Sequence, residues 1–173
     1  AAKADCDLTA LRLLCDSLME NHGVVEVDLH GNSLGDDGVE LAAALVSQRT
    51  RTRALDVRAN EMTAHGAVVL AEALERNVHL RTLSGVPVYD MRNASLTELN
   101  LSGTEARQLH VGDAFLLAAA LKENPGPITS IDLRGNNLAD ESMRLVGGAL
   151  LGHTAGVCKV RFLKCENWSI DPE

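Results

Sequence analysis

Three glycines lie where a β-strand pattern changes to a helical one, a position at which many folds bind phosphate. They are Gly31, Gly35 and Gly38, within the stretch VVEVDLHGNSLGDDGVELAAALV that begins at Val24. Backbone N–H groups at a helix N-terminus bind phosphate, so such a turn could hold a nucleotide. The glycines read G-x-x-x-G-x-x-G, however, which is neither the dinucleotide fingerprint nor the P-loop with its Lys-Ser/Thr. Their spacing therefore does not favour a nucleotide site.

Cysteine and histidine are the other residue types that could do chemistry here. Cys6 and Cys15 are nine positions apart, and Cys158 and Cys165 are seven apart, whereas zinc sites use C-x-x-C or similarly short spacings. The six histidines form no H-x-x-x-H motif and no Cys-His pair at metal-binding spacing. We therefore expect no metal, no cofactor and no catalytic residue. Cys15 and Cys165 are expected to be buried, reduced thiols.

The strand, turn and helix around the glycines recur along the chain. The central apolar residues of the recurring strand patterns are Val27, Leu55, Leu83, Leu99, Ile131 and Val160. Their sequence numbers differ successively by 28, 28, 16, 32 and 29. A fixed period of this length is typical of repeat proteins, in which each repeat buries its apolar face against its neighbours. The glycines are therefore interpreted as turn and packing residues of a repeat.

The clearest copies of the repeat are EVDLHGNSL (26 to 34), ALDVRANEM (54 to 62) and SIDLRGNNL (130 to 138). The chain thereby resembles the leucine-rich repeat family, whose strand signature is L-x-x-L-x-L-x-x-N/C-x-L. The period of 28 to 29 positions and helices such as GVELAAAL and AVVLAEAL are similar to the ribonuclease-inhibitor-like subclass. The resemblance implies an α/β solenoid with a parallel β-sheet of about six strands on the concave face and helices on the convex face. It also implies an intracellular, cytoplasmic protein that is not an enzyme.

Asparagines at one position of the repeat are candidates for a structural role. The resemblance implies that a ladder of amide side chains is formed by Asn32, Asn60 and Asn136. An amide can both donate to and accept from backbone groups that a turn leaves unpaired. Asn77 lies outside this ladder and is expected to contribute much less to stability. The resemblance also implies close packing at Gly38 and Gly66.

Alternate residues of each predicted strand point to opposite faces, so Val25, Val27 and Leu29 are expected to face the core. Parallel strands lie about 4.8 Å apart, so Asp28 beside Asp56 should make a solvent-facing acidic patch. A polar face of this kind suits a protein surface better than a small apolar ligand. The candidate partner-binding residues of the concave face are Glu26, Asp28, His30, Asp56, Arg58, Glu98, Asn100, Asp132, Arg134, Lys159 and Arg161.

Charge and hydropathy limit the other classes of partner. The formal net charge is −8 and the pI is about 5.2, which disfavours a nucleic acid because binding to phosphates depends on Lys and Arg. No apolar run reaches the roughly 18 to 20 residues of a membrane span. We therefore expect a protein partner or partners.

The middle of the chain departs from the period. Leu99 follows Leu83 after only about half of the usual interval, so residues 84–95 leave no room for a convex helix and are expected to form an irregular loop. The next interval, from Leu99 to Ile131, is longer than the others and has an insertion near TEARQLHVGD. Tyr89 in the 84–95 loop is a candidate anchor for a partner, since amphipathic aromatic residues are enriched at interfaces. The simpler interpretation is that Tyr89 fills the space of the absent helix.

The two ends are incomplete repeats, since the first has only its helix and the last only its strand. We therefore expect residues 1–173 to be a single leucine-rich repeat domain that is a segment of a longer protein or part of an assembly. A non-enzymatic protein-interaction module, docking through the concave sheet or the loop edges, is the favoured function. The alternatives are a structural subunit of a large complex and a regulator of a partner enzyme such as a GTPase activator. Recovery of one GTPase with the chain would favour the regulator, and recovery of many assembly subunits would favour the structural subunit.

Overall fold

The structure, a computed structural model, describes residues 7–48, 51–104, 107–123 and 127–150, and the backbone of 159–161. Helices and strands alternate along these residues. The helices are α1 Thr9–Glu20, α2 Gly35–Gln48, α3 Ala64–Arg76, α4 Val88–Arg92, α5 Val111–Glu123 and α6 Asp140–Leu150. The strands are β1 Glu26–Asp28, β2 Ala54–Asp56, β3 Thr82–Leu83, β4 Glu98–Asn100, β5 Ser130–Asp132 and β6 Lys159–Arg161.

Each long helix buries one apolar stripe against its neighbours. In α2 the stripe is Val39, Ala42, Ala43 and Val46, at the i, i+3, i+4 and i+7 positions of one helix face, and each of these side chains is at most 2% exposed. This face packs against α3, and α3 packs in turn against α5. The small alanines allow the helices to lie close together.

The strands are parallel, and they form two three-stranded sheets in the orders β1-β2-β3 and β4-β5-β6. The register places Val27 opposite Leu55 and Leu55 opposite Leu83. After Leu83 the chain turns back, with hydrogen bonds between the backbones of Leu83 and Val86. The single sheet expected from the sequence is therefore divided in the described part of the chain, at the shortened repeat that follows Leu83.

Residues 84–95, expected to be a loop without a convex helix, contain the one-turn helix α4. Val88 and Met91 of α4 are at most 1% exposed and fill the core beneath it. Tyr89 is 42% exposed, so its interpretation as the side chain that fills this space is wrong. Because α4 is so short, α5 packs directly against α3.

The strand alternation predicts burial correctly for Val27 and Leu29 but not for Val25. Val27 and Leu29 are buried, whereas Val25 is 40% exposed. Val25 immediately precedes β1, the outer strand of its sheet. The prediction that Val25 faces the core is therefore wrong.

The asparagine ladder is present, and it joins successive repeats. The amide nitrogen of Asn60 donates to the carbonyl oxygens of Leu29 (2.8 Å) and Val57 (2.9 Å), and its Oδ1 accepts from the backbone N–H of Asn32 (2.8 Å). Asn136 repeats this arrangement in the second sheet. Its amide donates to Leu101 (2.7 Å) and Leu133 (2.9 Å), and its Oδ1 accepts from the N–H of Leu109 (2.8 Å).

Asn77 is equally well bonded, which argues against the expectation that it contributes much less to stability. It is 1% exposed, and its amide nitrogen donates to the carbonyl oxygens of Val46 (3.1 Å) and Thr52 (3.2 Å). Its Oδ1 accepts from the N–H of His79 at 3.0 Å. Asn77 thus connects the C-terminal ends of α2 and α3, in a second layer of asparagine contacts that the strand signature does not include.

The glycines of the first turn have the structural roles expected of them. Gly31 and Gly35 have φ angles of +71° and +62°, which side chains with a Cβ atom rarely adopt. A Cβ at Gly38 would lie 2.6 Å from the Cβ of Leu34. Turn geometry and packing therefore account for these three glycines.

Asp36, in the first turn of α2, caps the next helix. Its Oδ1 accepts from the backbone N–H of Thr63 (2.8 Å) and of Gly66 (3.2 Å), and its Oδ2 accepts from the Thr63 hydroxyl (2.6 Å). Burial acts to raise the pKa of Asp36, but these hydrogen bonds outweigh it and the net pKa is lowered. A Cβ at Gly66 would lie 2.6 Å from the Asp36 Oδ1, so glycine at this position leaves room for the cap.

Cys15 is buried, as expected, and is a free cysteine. Burial, assisted by the nearby charge of Asp16, raises the pKa of its thiol. Cys6, Cys158 and Cys165 lie outside the described residues.

Candidate functional site

Acidic side chains gather on the outward side of the first sheet. Asp28 and Asp56 are paired in register at the carboxyl ends of β1 and β2, and Glu26 lies two positions before Asp28. We call Glu26, Asp28 and Asp56 the acidic patch. The patch borders a groove of about 470 Å³ that is also lined by Arg58, Thr82 and Gly85.

Asp56 is held by Arg58, two positions further along the chain. The Arg58 Nε donates to the Asp56 Oδ1 at 3.0 Å and Nη2 donates to Oδ2 at 2.5 Å, a bidentate pair. The two side chains are only 13% and 14% exposed, so the prediction that Asp56 faces solvent is wrong. Burial acts to raise the pKa of Asp56, but the hydrogen bonds and charge of Arg58 outweigh it and the net pKa is lowered.

A second arginine, Arg107, bridges the two aspartates. Its Nη1 donates to the Asp56 Oδ2 at 2.5 Å and its Nη2 donates to the Asp28 Oδ2 at 2.7 Å. The hydrogen bond from Arg107 and one from the backbone of His30 are the main causes that lower the pKa of Asp28. Arg107 lies on a tight turn in which it exchanges two backbone hydrogen bonds with Thr104.

Sequence reasoning missed Arg107, although it identified the insertion TEARQLHVGD that contains it. The signal that could have found Arg107 is that it is the one arginine of that insertion. Its contact with Asp28 joins side chains that are 79 positions apart. No local pattern reports such a contact.

The second sheet repeats the aspartate–arginine pair of the first. The Arg134 Nε donates to the Asp132 Oδ1 at 2.9 Å and Nη2 donates to Oδ2 at 2.5 Å, and Asp132 is buried. Asn100 lies opposite Asp132 in the register, and both Asn100 and Glu98 are exposed. The register of β6 places Lys159 opposite Ser130 and Arg161 opposite Asp132.

The candidate residues therefore fall into two groups, one on each sheet. His30, half-buried, follows β1 and donates its backbone N–H to the Asp28 Oδ1 at 3.0 Å. Tyr89 lies on α4, outside both sheets. The side chains of Lys159 and Arg161 lie outside the described part of the structure.

Asp113 is a further acidic residue close to the patch, and sequence reasoning did not single it out. It is 2% exposed and occupies the third position of α5, where its Oδ2 accepts from the backbone N–H of His110 at 2.9 Å. Burial raises its pKa to about 6, although this hydrogen bond and the charge of Arg58 act to lower it. Its Oδ1 is a buried atom without a hydrogen-bond partner in the described structure.

Among the described residues, no three or more His, Cys, Asp or Glu side chains are placed to hold a metal ion together. None of the helices in the described ranges is both long and apolar enough to cross a membrane.

Comparisons with known proteins agree with the repeat. A family model for the Leucine Rich repeat matches residues 127–147, which include β5 and the first part of α6. The cattle protein (Bos taurus) "NACHT, LRR and PYD domains-containing protein 5" is 31% identical over 150 residues, which cover 80% of this chain. The chain spans only 14% of the length of that relative.

Proposed function

Because the chain belongs to the leucine-rich repeat family, we propose that it docks a protein partner on the outward face of its two sheets. The name of the cattle relative includes an LRR domain beside two other domains, and we infer that this chain corresponds to part of such a domain. The regular repeat intervals, together with full-length helices such as α2 and α3, favour the ribonuclease-inhibitor-like subclass. The proposed function is non-enzymatic.

The observation that carries this proposal is the acidic patch and its groove. Glu26 and Asp28 are exposed on adjacent positions of one face of β1, and the groove beside them measures about 470 Å³. Charged groups of one sign on a concave surface attract a complementary surface and speed its association. We therefore propose that the partner presents basic side chains to this sheet.

The position of Arg107 defines how such a partner would bind. Arg107 forms ion pairs with two of the three carboxylates of the patch. Its side chain is nevertheless 47% exposed, and that of Asp28 is 54% exposed. Ion pairs this exposed contribute little to stability, so a basic side chain of the partner can replace Arg107 at Asp28. The Arg58–Asp56 pair beneath is half-buried and stays in place.

A double charge reversal, Glu26→Lys with Asp28→Lys, tests this surface. The partner is first isolated from a native extract with the wild-type chain and identified by mass spectrometry, and its affinity and association rate are then measured at two salt concentrations. We expect the double variant to weaken binding by roughly tenfold or more and to slow association most at low salt. Asp56 is not a suitable site for this test, because its removal would leave the half-buried Arg58 unpaired.

The matched control is Glu40→Lys with Glu72→Lys, the same change of charge on exposed positions of α2 and α3. Both double variants should melt like the wild type. If the helix pair weakens binding and the sheet pair does not, the docking surface lies on the helices and the proposed face is wrong. A partner that is a single GTPase would point to the regulator function, and a set of assembly subunits would point to the structural one.

A further inference from the structure

A cavity of about 210 Å³ lies between the turn that follows β2 and the N-terminus of α5. It is separate from the groove beside the acidic patch. The turn and α5 are neighbours because the short third repeat brings α5 directly against α3. A Cβ at Gly112 would lie 2.5 Å from the carbonyl oxygen of Met62, so glycine permits this close approach.

Two side-chain atoms of residues that line the cavity are left without a hydrogen bond. They are the Oδ1 of Asp113 and the Nδ1 of His110, both buried and neither with a partner in the described part of the chain. Buried polar atoms are almost always hydrogen-bonded, so two of them on residues beside one cavity point to a ligand with donors. In the neutral imidazole that carries its proton on Nε2, the Nδ1 of His110 accepts a hydrogen bond, as the Asp113 carboxylate does.

We infer that this cavity binds an alkylammonium group of about the size of a lysine side chain. An ammonium has three donors and no acceptor, so one such group can satisfy both Asp113 and His110. Its positive charge complements the buried carboxylate. A neutral alcohol supplies one donor and no charge, and an anion would be repelled by Asp113.

The walls and volume of the cavity fit the rest of such a group. Val57, Ala59 and Met62 supply apolar surface on the side of the turn, against which a short chain of methylene groups can pack. The volume equals that of about seven water molecules at roughly 30 Å³ each. It is below the roughly 300 Å³ at which pockets for drug-sized ligands begin, so the cavity suits a side chain or a small amine rather than a metabolite.

The test is a titration of the ¹⁵N-labelled protein with n-butylammonium chloride at pH 7.5, followed by NMR at the backbone amides of Met62 and Gly112. We expect a saturable shift with n-butylammonium and none with n-butanol, which has the same carbon chain without the charge. Equal binding of n-butanol would reduce the site to an apolar cavity. A shift that does not saturate with n-butylammonium would mean that the cavity holds only water. Either of these two results overturns the inference.

Two variants distinguish the effect of the Asp113 carboxylate charge from an effect on the fold. Asp113→Asn keeps the shape of the side chain and should weaken n-butylammonium binding roughly tenfold or more, since it removes a charge-assisted hydrogen bond. Asp37→Asn is the matched control, because Asp37 is exposed at the third position of α2, and it should bind like the wild type. Unchanged affinity in Asp113→Asn would overturn the inference.

The wild type alone provides a further check. Because burial raises the pKa of Asp113 to about 6, affinity for n-butylammonium should fall as the pH is lowered from 7.5 to 5. The other titratable or charged groups around Asp113 are His110 at the start of its helix, Glu61 in the turn, and Asp56 and Arg58 at the strand end. Asp113→Asn should weaken this pH dependence, and a variant whose pH dependence equals that of the wild type would contradict the inference.

The alkylammonium group can come from a protein or from a free amine. Nα-acetyl-lysine N-methylamide distinguishes the two sources, because it carries the lysine side chain on a peptide-like backbone. Binding of this compound as tight as that of n-butylammonium assigns the site to a lysine of a partner protein. Binding of n-butylammonium alone assigns it to a free amine. Both results support the ammonium site, and neither depends on partner docking at the acidic patch.

Discussion

Asp113 combines nearly complete burial with one unpartnered carboxylate oxygen, which makes its ionisation unfavourable in the folded state. The folded-state pKa of about 6 lies above the ordinary value of 3.8. A group whose folded pKa is raised stabilises the fold most below its unfolded pKa, and this stability is lost as the pH rises through the folded pKa. The loss occurs between about pH 4 and pH 6 and is complete at pH 7.

Asp113→Asn should therefore stabilise the protein at neutral pH. The asparagine stays neutral and can still accept from the N–H of His110, so the free energy of unfolding at pH 7.5 should exceed that of the wild type by about 3 kcal/mol. Near pH 4 the difference should vanish. Urea unfolding at several pH values measures this, and Asp37→Asn, with its exposed side chain, should show no such pH dependence. A variant less stable than the wild type at pH 7.5 would contradict the assigned cost of burial.

The role of Asp113 could not be predicted from its local sequence, because its environment comes from another repeat. An aspartate at the third position of a helix is commonly an exposed cap, and Asp37 in α2 has that exposure. Asp113 is buried because α5 lies against the turn after β2, an arrangement that depends on the short third repeat. Asn60 and Asn136, by contrast, were predictable, since the repeat itself specifies their position.

Asparagine side chains connect the repeats in two layers, one after the strands and one after α3. The strand signature predicts the first layer, which contains Asn60. It does not predict the second, in which Asn77 joins the ends of α2 and α3, because the positions after the helix are not part of the signature. Both side chains are 1% exposed, and each donates to two carbonyl oxygens, at least one of them in the preceding repeat.

We expect Asn60→Ala and Asn77→Ala to lower the free energy of unfolding by similar amounts, about 1 to 3 kcal/mol each. Each alanine leaves buried carbonyl groups without their donors, and water does not readily replace a fully buried amide. Asn32→Ala is the control, because Asn32 is exposed at the end of the ladder and should lose less than about 1 kcal/mol. Chemical denaturation of the three variants decides the point. An Asn77→Ala loss no larger than that of Asn32→Ala would show that the second layer is unimportant.

The helices and strands themselves follow the sequence pattern closely, except where the period changes. The six central apolar residues of the strand patterns, from Val27 to Val160, all lie on strands. The pattern also predicted the lack of room after Leu83, but it could not predict that Val88 and Met91 would form a helical turn over the core. It also could not predict that the sheet divides, because strand pairing between β3 and β4 depends on how the chain turns at Val86.

The whole molecule is held together by its helices where its sheet is divided. One cluster of buried apolar side chains runs from Leu11 in α1 to Ala149 in α6, and it is continuous because α5 packs on α3. On the side of the sheets, Arg107, which follows β4, reaches the aspartates at the ends of β1 and β2. Arg107 thus connects the two sheets across the division by its ion pairs with Asp28 and Asp56.

Arg107→Ala should loosen this connection without unfolding the protein. The Arg107 side chain is 47% exposed, so its removal should change the free energy of unfolding by less than about 1 kcal/mol. Amide hydrogen exchange should become faster in the turn at Thr104 and Arg107, because the ion pairs to Asp28 and Asp56 no longer hold it against the first sheet. High salt should have the same effect on the wild type, since exposed ion pairs are screened.

Arg134→Ala is the control, because Arg134 pairs with Asp132 only two positions away, and it should leave exchange at Thr104 and Arg107 unchanged. If exchange in Arg107→Ala matches the wild type, the turn is held by its own backbone and Arg107 does not join the two sheets.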